Sequence, residues 1–175
     1  MTCIPRAFLA SSLFAVGFAT SASADILNKQ SDHYTIKQEA TSSLPPEKIW
    51  QRLIDPAQWW HPDHTYSGSS ANLSLDVQAG GLWREDWQGG SIAHGQILSV
   101  MENKQLTLNA PFGPLQNMAV TVIWTITIQE ENDGSKITFL ETANGTHQSK
   151  LDEIAPAVDY VKTQAIQRLA NKTSQ

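Results

Sequence analysis

A single cysteine, Cys3, stands in the whole of this 175-residue chain, and it lies at the extreme start. A disulfide framework is therefore excluded, and Cys3 precedes the apolar segment instead of ending it, where a lipid-attachment cysteine would sit. Long hydrophobic runs are missing too. The stretch Ala7–Ala19 is too short for a membrane span, which needs about 20 apolar residues, and nothing later approaches that length. Positive charge is also scarce, with 12 Lys and Arg against 17 Asp and Glu. That balance disfavours nucleic acid or an anionic membrane surface as partner, since both call for a basic face. No nucleophile elbow, phosphate loop, dinucleotide fingerprint or zinc-finger spacing occurs, so no cofactor is expected.

What is present begins with an export signal. Arg6 is followed by the apolar stretch and then by Thr20-Ser21-Ala22-Ser23-Ala24, whose small residues fit cleavage after Ala24. The expected mature chain is a soluble, disulfide-free domain of the periplasm or exterior, with 11 basic and 17 acidic side chains. At about 150 residues it can bury roughly two-thirds of its unfolded surface, enough for one core without staples.

Residues 25–33 read as a loose lead-in to a single domain over 34–172. Tyr34, Ile36 and Gln38 alternate with Thr35, Lys37 and Glu39, which predicts a strand. Pro45-Pro46 opens a short helix carrying Ile49, Trp50 and Leu53, and Asp55-Pro56 ends it. A second helical turn and an irregular loop are expected over 57–70, then strands reversing at Gly89-Gly90, Asn103-Lys104 and Asp133-Gly134. Leu151, Ile154, Val158, Val161, Ala165 and Leu169 recur at spacings of three and four, predicting a helix to about Asn171 with Pro156 in its first turn or kinking it.

Counting outward from the reversals assigns the faces. Glycine turns at 89–90 pair Trp87 with Ile92, Glu85 with His94 and Trp83 with Gln96, putting Trp83, Glu85, Trp87, Ile92, His94 and Leu98 inward. The 133–134 reversal pairs Ile128 with Phe139, Ile126 with Glu141 and Trp124 with Ala143, leaving Glu141 as a lone carboxylate on an apolar face.

This order of elements resembles the START-like (SRPBCC) helix-grip superfamily, with its polyketide cyclase/dehydratase-like, lipid-transfer and heat-shock ATPase activator-like branches. The residues carrying the likeness are the helix 46–55, Trp59-Trp60, Gly80-Gly81-Leu82-Trp83-Arg84-Glu85, Gly95-Gln96-Ile97-Leu98-Ser99-Val100 and Ala155-Pro156-Ala157-Val158-Asp159. The resemblance implies an α+β fold, a curved antiparallel sheet wrapped around a long C-terminal helix with two short helices after the first strand. It also implies a hollow between sheet and helix.

Three functions stay open. The first is a carrier or sensor of an apolar, aromatic or lipid-like small molecule, with Trp59, Trp60, Trp83, Trp87, His94, Phe112, Met118, Trp124, Phe139 and Glu141 as candidate ligand contacts and Phe112 as part of a lid. The second is a cyclase/dehydratase- or hydrolase-like enzyme, for which Glu85, His94 and Glu141 are the candidate acid/base groups. The third is a protein-interaction module with a filled core. His61, Asp63 and His64 offer three donor side chains, but Pro62 prevents a helix from presenting them together and no second cluster accompanies them, so no metal is expected.

Overall fold

The computed structural model describes residues 22–171. Eight antiparallel strands form one curved, open sheet: β1 (Ala22–Gln30), β2 (His33–Ser42), β3 (Leu73–Leu75), β4 (Leu82–Trp87), β5 (Gly90–Met101), β6 (Gln105–Asn109), β7 (Thr121–Glu131) and β8 (Gly134–Asn144). Their spatial order is β1-β2-β8-β7-β6-β5-β4-β3. The short α1 (Pro46–Leu53) and the long α2 (Leu151–Ala170) cover the inner face, α2 against β1, β2, β8 and α1. This is the helix-grip architecture.

Local chemistry accounts for both helices. Proline at the start of α1 sacrifices an N–H that has no intrahelical partner anyway, Glu47 and Arg52 sit at the favourable ends of the helix dipole, and Ile49, Trp50 and Leu53 are buried. Each such burial stabilises by about 1.5–3 kcal/mol. Arg52 then donates through Nη2 to the carbonyls of Arg168 and Asn171, and Ser42 Oγ donates to the carbonyl of Ala170, so orphan acceptors at the end of α2 are satisfied. Pro156 lies in the second turn of α2 and removes the hydrogen bond to the Asp152 carbonyl.

The structure corrects four expectations. Asp25–Gln30, expected within a loose lead-in, belong instead to β1, which pairs with β2 along its length. Over Ser23–Gln30 of β1 only Ile26 is partly buried and Leu27 is 57% exposed, so this stretch of edge strand has no buried face to write an alternation into the sequence. Both hairpins reverse one residue early: Trp87 faces Gly90 and Glu131 faces Gly134, with Gly89 and Asn132 supplying the positive φ. Partners therefore move by two, Glu85 facing Ile92, Ile126 facing Phe139 and Trp124 facing Glu141, and the assigned faces survive. Finally, His94 is an extra residue between the pairs Arg84–Ala93 and Trp83–Gly95. This β-bulge shifts the phase of β5, so Ile97 is buried and Leu98, expected inside, is 47% exposed.

The core divides in two. A larger cluster holds Trp50, Trp59, Trp60, Trp83, Trp124, Ile126, Phe139 and Ile166 among others, and a smaller one holds Tyr34, Ile36, Leu115, Val122, Ala143, Leu151 and Ala155. Glu141 lies on β8 between Phe139 of the first and Ala143 of the second. A cavity opens along that divide.

Candidate functional site: a cavity between sheet and helix

The segment after α1 builds one wall. A 3-10 turn at Pro56–Gln58 delivers Trp59 and Trp60, whose indole N–H groups donate to the carbonyls of Leu53 and His64 at 3.3 and 3.0 Å. Arg168 Nε donates to the carbonyl of Trp59 and ties this wall to α2. Trp60 meets Trp59, Trp83 and Phe112 edge to face at 5.4–5.7 Å. Phe112 comes from the connection between β6 and β7. Tyr66 Oη donates to the carbonyl of Gly113 at 3.3 Å, linking the two connections.

Together with α2 these segments border a partly open cavity of about 400 Å³ lined by Trp60, His64, Thr65, Tyr66, His94, Ala110, Phe112, Gly113, Pro114, Leu115, Glu141, Ile154, Ala157, Val158, Val161 and Lys162. The face of α2 explains its persistence. Ala165, Ile166 and Leu169 are buried in the core, while Ile154, Ala157, Val158 and Val161 line the hollow and keep some exposure.

Two buried polar groups border the apolar space. On the sheet side, Glu85 is fully buried and accepts from His94 Nε2 at 2.9 Å, from the Tyr66 N–H at 3.1 Å and from the Ser67 N–H at 2.5 Å. Burial pushes its carboxyl up, but the hydrogen bonds from Ser67, Tyr66 and His94 outweigh burial and hold it below the usual range. Burial pushes the His94 imidazole down, and the opposing pull of Glu85 does not restore it. An ionised carboxylate only accepts, so Nε2 carries the proton and a neutral ring leaves Nδ1 as an acceptor. Nδ1 has no hydrogen-bond partner among the described residues.

On the helix side, Lys162 is 2% exposed, and its Nζ lies 2.9 Å from Glu141 Oε2. Tyr34 Oη donates to Glu141 Oε1 at 2.7 Å, and burial beside that carboxylate raises the phenol strongly. Three aromatic rings surround the ammonium, Trp124 at 2.9 Å, Phe112 at 4.8 Å and Trp60 at 5.8 Å from Nζ to ring centroid. Burial lowers Lys162 to about 8 against the opposing influence of Glu141.

The candidate residues are thus divided by the structure. Trp60, His94, Phe112 and Glu141 line the cavity. Trp59, Trp83, Trp124 and Phe139 have no exposure and form the aromatic layer behind it. Trp87 packs its ring over Gly90 at the hairpin end, and Met118 packs against the smaller core cluster. Glu85 does not line the cavity and touches two residues that do, His94 and Tyr66. His61 Nδ1 accepts from the Asp63 N–H, His64 Nε2 pairs with Gln164 Oε1 at 3.0 Å, and no three His, Cys, Asp or Glu side chains converge as a metal site among the described residues. Sequence reasoning missed Lys162, although a signal existed: it falls four residues after Val158 and four before Ile166, on the apolar stripe itself.

A curved antiparallel sheet gripping a C-terminal helix over a lined hollow defines a START-like cavity protein. A family model described as Activator of Hsp90 ATPase homolog 1-like protein matches residues 43–170, and the chain belongs to this family within the SRPBCC superfamily. Its fold is compatible with ligand binding. Solved structures share the architecture at low identity. Protein CV1439 from Chromobacterium violaceum is 21% identical, with 78% of this chain and 94% of that one covered at a TM-score of 0.55. The conserved protein of unknown function EF2215 from Enterococcus faecalis is 13% identical, with 88% and 80% covered at 0.56. CalU16 from Micromonospora echinospora is 18% identical, with 87% of each chain covered at 0.50. No curated protein matches the sequence. Among the described residues, no helix is long and apolar enough to cross a membrane.

Proposed function

We propose that this protein is an exported binding protein for an apolar, aromatic or lipid-like small molecule, held between the sheet and α2. The observation that carries the reading is the cavity of about 400 Å³, within the roughly 300–1,000 Å³ range of small-molecule sites, with apolar walls and a few buried polar groups. Its volume counts against the filled core of an interaction module. Ala157→Trp provides the test, because this exposed helix position lines the cavity and a bulky ring there fills it without entering the core. Binding of a neutral fluorescent probe such as N-phenyl-naphthylamine is expected to be lost at unchanged circular dichroism. Unaltered affinity in that variant contradicts the reading.

The His94–Glu85 pair favours a second reading, a proton-transfer enzyme in which neutral His94 acts as base and Glu85 fixes its tautomer. Loss of turnover in His94→Gln with ligand affinity retained separates this enzyme from a carrier. Export is proposed from the leader alone. Cleavage after Ala24 falls within β1 and leaves Asp25–Gln30 of that strand, so the intact mass of the protein recovered from the periplasm or medium tests both the export and the cut.

A further inference from the structure

We infer that the ligand carries a neutral acceptor oxygen, a carbonyl, which enters beneath Phe112 and takes a hydrogen bond from Lys162. This rests on the small-molecule reading and specifies the polar end of the ligand. An ammonium has three donors. Glu141 is the one anionic partner of Lys162, and no other acceptor meets Nζ among the described residues; the remaining approaches are the rings of Trp124, Phe112 and Trp60. Glu141 accepts from Tyr34 at Oε1 and meets Lys162 at Oε2, a contact that is an ion pair and not an aligned hydrogen bond for either atom. With three N–H groups and no aligned acceptor for any of them, the ammonium holds the larger unmatched capacity at this end of the cavity.

Charge chooses among acceptors. Lys162 and Glu141 already neutralise one another, and the ionised Glu85 stands behind neutral His94, so a ligand anion meets two carboxylates and one cation in a water-poor site. A ligand cation finds the aromatic faces already occupied by Lys162. A plain hydrocarbon leaves the donors unmatched. A neutral carbonyl satisfies them without adding charge, and Lys162, at about 8, is still mostly protonated at neutral pH. Phe112 supplies the way in: Trp60 is 3% exposed and Trp124 fully buried, whereas Phe112 is partly exposed on an irregular connection and lines the cavity. Its ring is 5.2 Å from that of His94 and 4.8 Å from Nζ. Swinging it aside uncovers the ammonium.

The test titrates the purified protein at pH 7 with naphthalene, its methyl ketone, its carboxylate and its aminomethyl cation, following tryptophan quenching. The ketone is expected to bind about tenfold tighter than naphthalene, because a hydrogen bond from a charged donor is among the stronger ones, and tighter than either ion. In Lys162→Met/Glu141→Gln, which removes both charges together and so avoids stranding a carboxylate, the ratio of ketone to naphthalene affinity is expected to fall to about one. A ketone no better than naphthalene, a carboxylate that binds tightest, or a preference that persists in the double variant overturns the inference while leaving the cavity reading intact. Failure of all four probes overturns both.

Discussion

Lys162→Met is the most informative single perturbation of stability. The lysine and Glu141 are 2% and 1% exposed, and their charged atoms are 2.9 Å apart. Removing the cation strands a carboxylate whose remaining partner is the Tyr34 hydroxyl. Breaking a buried pair from one side costs about 3–5 kcal/mol, whereas replacing both members by neutral groups of similar size is often neutral or stabilising. Glu141→Gln in the Lys162→Met background keeps an acceptor for Tyr34 and removes the stranded charge. Urea unfolding at pH 7 is therefore expected to show a loss of about 3–5 kcal/mol in Lys162→Met and recovery of most of it in the double variant. A single variant within about 0.5 kcal/mol of the parent, or a double variant as unstable as the single, refutes the argument that one ion pair neutralises this end of the cavity.

Further outcomes follow from the same contacts. Because burial lowers Lys162 to about 8 from 10.5, the unfolded chain holds a proton across that window that the folded chain lacks, so this lysine makes stability rise with pH between them. Tyr34 acts oppositely: its raised phenol keeps its proton in the folded chain above 10.0, where the unfolded chain loses it, so stability falls beyond that point. Urea midpoints against pH should show the rise in the parent and not in the double variant. Glu85→Gln removes the charge that holds His94 up, so NMR titration should find the imidazole lowered further, and loss of the carboxylate from two backbone N–H groups is expected to cost about 2–3 kcal/mol. Gly81→Ala places a Cβ 2.0 Å from the Asp76 carbonyl oxygen, and a loss of about 1–3 kcal/mol in urea unfolding at constant m is expected.

The fold was legible where one face is buried and the other wet. Tyr34, Ile36 and Gln38 on β2, Ile126 and Phe139 on the long hairpin, and the stripe of α2 all write their period into the sequence. β1 escaped because an edge strand exposed on most of its residues imposes no period. Leu98 was misplaced because alternation cannot count extra residues: the bulge at His94 turns Ile97 inward, and a second register shift leaves Leu98 without a partner on β6. The cavity itself was half legible. Trp60, His94, Phe112 and Glu141 were visible as inward or loop-borne groups, but hydrophobicity alone does not separate a tryptophan that lines a hollow from Trp83 or Trp124 packed behind it. Lys162 was passed over because a long cationic side chain on an apolar stripe commonly reaches out to water. Here the opposing carboxylate, Glu141 on the preceding strand β8, keeps it inside.

Native mass spectrometry of the protein recovered from its own source, followed by denaturing release and identification of whatever co-purifies, tests the central claim most directly. The account predicts a discrete added mass belonging to a neutral, apolar, carbonyl-bearing compound, absent or reduced in Ala157→Trp. A bare polypeptide mass, joined to no tryptophan quenching by a panel of aromatic and lipid-like compounds, contradicts it.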